Sequence, residues 1–174
     1  MAAKSFLRRV SGKLTEILGT IVSTGAANDG DIVALDSTGK LDVSVLPVGL
    51  GPEVALVPAS ESLAAGDLVN FWTDAGVIKA RKADGATTGK QADGFVLSAF
   101  APAATATVYL PSNINTSVAG LTPGTEYFLS ATTPGGLSAT PPAAGAGKTS
   151  QVVGKALSAT SLGFVPEAPI VTAA

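Results

Sequence analysis

Cysteine is absent from the chain, which excludes disulfides, thiolate zinc sites and thiol nucleophiles. Histidine is absent too, removing the most common general base and the most common transition-metal ligand. Aromatic residues are few (six Phe, two Tyr, one Trp) and do not interleave with basic residues as a base-stacking platform requires. With 11 Lys and Arg against 13 Asp and Glu, no basic face is available for a nucleic-acid backbone. No apolar run reaches the roughly 18 residues that span a bilayer, and the N-terminus has no continuous apolar region ahead of a small-residue cleavage site. These absences predict a non-enzymatic protein with no catalytic, cofactor-binding or metal-binding residues and no nucleic-acid or membrane partner. They also predict synthesis and retention in cytoplasm until assembly.

What is present points to β structure. Hydrophobic residues make up 46% of the 174, most of them Ala, Val and Leu, so the core is built from small side chains. Twenty Gly and 11 Pro supply more turn punctuation than a helical protein tolerates. The length accommodates one compact domain plus an extension, or two small modules.

The segment from Met1 to about Val22 differs from the rest. Lys4, Arg8, Arg9 and Lys13 all precede the first acid, Glu16. Leu7, Val10, Leu14, Ile17 and Ile21 recur in steps of three and four, which predicts one stripe of a short helix or a coiled-coil seam interrupted by Gly12 and Gly19. The stripe fits self-association, an amphipathic helix lying on its own domain or a neighbour, or a membrane-surface helix, the last without interfacial Trp. From Ser23 to Leu50, Gly25, Asn28-Asp29-Gly30, Ser37-Thr38-Gly39 and Pro47 break up short apolar pieces. Such pieces bury too little area to order alone and call for a partner or another copy of the chain.

From Gly51 onward the pattern is regular. Strands are predicted near Glu53–Pro58, Asp67–Trp72, Gly76–Arg81, Gly94–Ser98, Thr105–Leu110, Thr125–Ser130, Gln151–Ser158 and Leu162–Val165. The turns between them include Asp74-Ala75-Gly76, Ala83-Asp84-Gly85, Pro123-Gly124 and Pro134-Gly135-Gly136. This spacing predicts a sandwich or small barrel of antiparallel hairpins, and Pro141 to Gly147 reads as an exposed, flexible loop.

Four local motifs carry chemistry on paper. Gly145-Ala146-Gly147-Lys148-Thr149 ends like a phosphate-binding loop, but Pro142 stands where the first Gly belongs and a strand, not a helix, follows. Asn28-Asp29-Gly30-Asp31 has calcium-loop spacing without the remaining oxygen ligands, and reads more simply as a tight turn. Asn115-Thr116-Ser117 matches a glycosylation acceptor and reads as a polar loop. Strand alternation sends one of Phe71 and Trp72 inward and the other outward, where it serves as core cover, a ligand contact or an exposed aromatic interface contact.

Gly25 to Pro47, with Ala34-Leu35-Asp36, Gly39, Lys40-Leu41-Asp42 and Leu46-Pro47, resembles a linker of bacteriophage fibre proteins that joins an anchor to a distal domain. Ala119 to Ser130, Gly135-Gly136-Leu137 and Val152 to Ser158 are similar to the small β-domain that closes phage head fibres, capsid decoration proteins and some tail fibres. The resemblance implies a trimeric virion surface protein, with residues 1–50 as anchor and linker and 51–174 as an exterior β-domain. The absence of a long repetitive shaft favours capsid decoration over host recognition by a tail.

The expectation is therefore a mainly β chain: a short N-terminal helix or extended anchor, then a small antiparallel β-sandwich or β-barrel, as a homotrimer. Leu7, Val10, Leu14, Ile17 and Ile21 are expected to bury against sister chains or a shell protein such as the major capsid protein, at about 1.5–3 kcal/mol each before ordering costs. Arg8 and Arg9, with Lys4 and Lys13, are expected to meet acidic capsid groups. The alternative is a tail-fibre or receptor-binding module that recognises a host-surface glycan.

Overall fold

The computed structural model describes residues 5–37, 39–46, 51–143 and 145–172. Met1, Lys4, Thr38, Pro47 and Leu50, named above, and Ala144 within the stretch Pro141 to Gly147, lie outside the described residues. The chain divides into two compact units, Met1–Gly51 and Pro52–Ala174.

In the first unit, the expected N-terminal helix is replaced by a β-hairpin of β1 (Ser5–Val10) and β2 (Lys13–Leu18), antiparallel and in register from Ser5 opposite Leu18 to Val10 opposite Lys13. The reason lies at the turn. Ser11 and Gly12 both have positive φ, 50° and 84°, the two-residue geometry whose twist matches paired strands. A helix through the same residues would carry Gly12 in its interior at a cost of about 1 kcal/mol relative to Ala. The rest of the unit holds two single-turn 3-10 segments, Ala26–Asn28 and Val43–Val45, and no α-helix occurs among the described residues.

The second unit is built from antiparallel strands. They are β3 (Val54–Pro58), β4 (Leu68–Asp74), β5 (Val77–Lys82), β6 (Gly94–Val96), β7 (Thr105–Tyr109), β8 (Ile114–Asn115), β9 (Glu126–Leu129), β10 (Leu137–Ser138), β11 (Lys148–Ser150), β12 (Val152–Ser158), β13 (Ser161–Phe164) and β14 (Ile170–Thr172). One five-stranded sheet has the order β3-β7-β6-β4-β5, a second the order β10-β9-β12-β13-β8, and β11 pairs with β14. All eight strands predicted after Gly51 form. The four missed ones, β8, β10, β11 and β14, are two or three residues long.

Side chains of both five-stranded sheets meet in one core. Leu68 and Phe95 from the first sheet pack with Leu129, Val153, Leu162 and Phe164 from the second. Phe95 sits at its centre, edge-on to Phe164 and stacked on Tyr109, each with ring centroids 5.4 Å apart. Such aromatic pairs add about 0.5–1.5 kcal/mol beyond the area they bury. The first sheet is apolar on its other face as well: Val69, Ala80, Val96, Ala106 and Val108 pack with Ala59 and Leu63 in a second core. Successive residues therefore serve opposite cores, Leu68 one and Val69 the other. An isolated bridge between Ala59 and Ala80 joins this sheet's two edges at one point, so it curls without closing into a barrel.

Candidate functional site

The first unit differs from the second in what it leaves uncovered. Its only buried apolar residue among the described ones is Ala34, whereas large apolar side chains along β1 and β2 stand open to solvent. The hairpin register sorts these side chains onto two faces. Phe6, Arg8 and Val10 share one with Ile17, Thr15 and Lys13; Ser5, Leu7 and Arg9 share the other with Leu18, Glu16 and Leu14.

The first face is partly covered by its own chain. Thr20 donates its backbone N–H to Ile32 and accepts from Ala34, both at 2.9 Å, laying residues 32–34 beside the end of the hairpin. Gly19 is enclosed there: a Cβ on it would lie 2.6 Å from the Ala34 Cβ and 2.9 Å from the Phe6 ring, so only glycine admits this approach. Arg8 donates to the Gly30 carbonyl at 3.4 Å, and Ile17 is half-buried.

The second face is bare. Leu7 is 73% exposed, Leu14 74% and Leu18 62%. They zigzag along the face, Leu18 and Leu14 on β2 with Leu7 between them on β1, with Arg9 beside Leu14, Glu16 beside Leu7, and the Ser5 hydroxyl donating to the Glu16 carboxylate. Among the described residues Arg9 has no ion-pair partner.

The expected stripe is thus divided. Leu7 and Leu14 lie on the bare face with Arg9, Val10 and Ile17 on the covered one with Arg8, and Ile21 beyond the hairpin at 41% exposed. Leu18, Glu16 and Phe6 were missed. Their signal was period-two alternation in two six-residue runs separated by Ser11-Gly12.

Below the hairpin, Asn28-Asp29-Gly30-Asp31 is a turn. The Asn28 side-chain oxygen accepts from the Thr24 backbone N–H and hydroxyl at 2.8 and 2.9 Å, and the Asp31 carboxylate accepts from Thr20 and Asn28 at 2.7 and 2.9 Å. Those two donors hold Asp31 below the usual carboxylate range. No cluster of three acidic side chains converges among the described residues.

In the second unit, Phe71 packs against the second core and Trp72 lies on the opposite face of β4; both are half-buried. Trp72 donates its indole N–H to the Ser60 hydroxyl at 3.2 Å, and the Arg81 guanidinium lies 5.0 Å from its ring centre. Arg81 also donates to the buried Asn70, which in turn donates to Asp93, each at 2.9 Å. Asn115 is fully buried, bonded to Gly66 and Ser117, and Lys148-Thr149 opens the strand β11. A cleft of about 340 Å³ opens between three loops, lined by Asp67, Tyr127, Gly66, Gly120 and Gly135 among others. No protein-family model matches the chain, and no curated protein or solved structure matches it.

Proposed function

We propose that the chain is a non-enzymatic virion structural protein that decorates the outside of a tailed-phage capsid, attached through its first unit and presenting its second outward as a homotrimer. The observation that supports this reading is the contrast between the units. The second has two apolar cores of its own, whereas the first buries one alanine among its described residues and leaves Leu7, Leu14 and Leu18 in water. A segment that cannot bury its apolar surface within one chain is suited to ordering against other chains. The likeness of Gly25 to Pro47 to fibre linkers, and of Ala119 to Ser130 to the closing β-domain, supplies the capsid context. Several copies acting together would raise attachment to the shell by avidity.

Sedimentation of the purified chain with capsid shells that lack it tests the reading. The chain is expected in the pellet, and Leu14→Asp with Ile17→Asp is expected to leave it in the supernatant. Wild-type chain that stays in the supernatant would overturn capsid attachment, and antibody labelling of tails instead of heads would favour the tail-fibre alternative.

A second reading, recognition of a host-surface glycan, has the cleft beside Tyr127 as its motivation. A glycan array with no bound sugar would remove it.

A further inference from the structure

The bare hairpin face carries its own complement. On one surface of β1 and β2 stand Leu7, Leu14 and Leu18, one cation, Arg9, and one anion, Glu16. Ser5 occupies one oxygen of the Glu16 carboxylate, and among the described residues the other oxygen and the Arg9 guanidinium have no partner. A uniformly acidic or basic partner surface would leave one of these two charges against a like charge. A second copy of the same face offers apolar side chains to the leucines, a carboxylate to Arg9 and a guanidinium to Glu16, each relationship repeated by symmetry.

We infer that the face carrying Leu7, Leu14 and Leu18 is the contact between copies of this chain, with Arg9 of one copy paired to Glu16 of another. This deepens the proposed attachment role, because it assigns the bare face to sister chains and leaves the shell to other surfaces of the first unit. The contact itself needs no shell.

The opposite face of the hairpin shows why this surface is distinct. There Phe6 packs beside Gly19 and Ala34, Arg8 bonds to Gly30 within the chain and Ile17 is half-buried, so that face is partly covered, with Phe6 37% and Val10 44% exposed against 73% and 74% for Leu7 and Leu14. The face with Arg9 and Glu16 has no such cover from its own chain.

Charge exchange on the full-length chain tests the inference, with mass measured by light scattering after size exclusion. The wild type is expected as an oligomer. Arg9→Glu and Glu16→Arg place two like charges on every copy, and each variant is expected at the mass of one chain. Mixed in equal amounts they present opposite charges, and association of one variant with the other is expected to return, at least to the mass of a pair, because a ring of three must keep one like-charged contact. Leu7→Asp with Leu14→Asp is expected to abolish it in any mixture, with the circular dichroism of the β-rich second unit unchanged. A monomeric wild type, charge variants that assemble as the wild type does, or a mixture that stays monomeric would each overturn the assignment. None of these results depends on shell binding, so sedimentation of the wild-type chain with capsids reports separately on the attachment reading.

Discussion

Gly154 in β12 and Gly163 in β13 approach so closely that a Cβ on Gly154 would lie 2.0 Å from the Gly163 carbonyl oxygen. Gly154 also has φ of 150°, outside the range L side chains readily adopt. Gly154→Ala is therefore expected to destabilise the second unit by roughly 2 kcal/mol or more, through backbone strain and displacement of β13. Gly163→Ala is the control, because its nearest contact is the Leu157 side chain at an ordinary 3.6 Å. Urea midpoints that fall equally for both variants would contradict this account.

Tyr127 reaches back from β9 to accept the Thr122 backbone N–H on its hydroxyl at 2.9 Å while its ring lies in the shared core. The bond ties the start of the Thr122-Pro123-Gly124-Thr125 turn, itself closed by Thr125 N–H to the Thr122 carbonyl at 3.1 Å, back to β9, as a tyrosine corner does in two-sheet β proteins. Tyr127→Phe keeps the ring and removes the acceptor, so a loss of about 1 kcal/mol is expected in chemical denaturation with an unchanged m-value. A variant as stable as the wild type would show that water replaces the hydroxyl at no cost.

Burial raises the Asp93 carboxyl above its ordinary range, outweighing the Phe71 N–H, Asn70 and Gln91 donors and nearby Arg81, which favour its charge. The folded chain thus holds the proton more tightly than the unfolded chain. The stability this provides is full below the ordinary aspartate range and is lost as pH rises through the raised value. Asp93→Asn resembles the neutral acid and retains an oxygen for Asn70 and Phe71. Relative to this variant, the wild type is expected to lose stability as pH increases from about 4 until Asp93 is ionised, then to run parallel. Comparing the two chains cancels the opposite trend from Asp31 and Asp42, whose lowered values remove stability as pH falls. Parallel curves throughout, from denaturation at a series of pH values, would rule out a contribution from Asp93.

The turn at Ser11-Gly12 sets the hairpin register, and Gly12 there has φ of 84°. Gly12→Val is expected to cost roughly 1–2 kcal/mol locally, speeding amide exchange across residues 5–18. Gly12→Asn is expected to be tolerated, since Asn accepts this conformation in two-residue hairpin turns. Because Gly12 lies in the first unit, the melting of the second is expected to stay the same. Slow exchange in Gly12→Val would mean that the strands pair without help from the turn.

Much of the second unit was legible before any coordinate. Pairs such as Pro123-Gly124 and Ala75-Gly76 interrupt runs of Val, Leu and Phe at strand-length intervals, and turn residues act locally. Strands as short as Ile114–Asn115 and Leu137–Ser138 contain no full period, so only their neighbours define them. The hairpin was misread because Leu7, Val10, Leu14 and Ile17 satisfy helical spacing, while the same residues alternate on either side of a two-residue turn. Periodicity counted across that turn favours the helix; counted within each run, it favours strands.

The sequence by itself determined the β class, because its turn residues limit most apolar runs to strand length, and the absence of Cys and His, which limits the available chemistry. Only the tertiary structure decided which surfaces remain open. Whether a strand face is buried depends on a distant segment returning over it, as Leu63 covers one face of the first sheet and Leu162 the other. For the hairpin, residues 32–34 return to the side of Phe6 and Gly19 alone, and Leu7, Leu14 and Leu18 are left exposed.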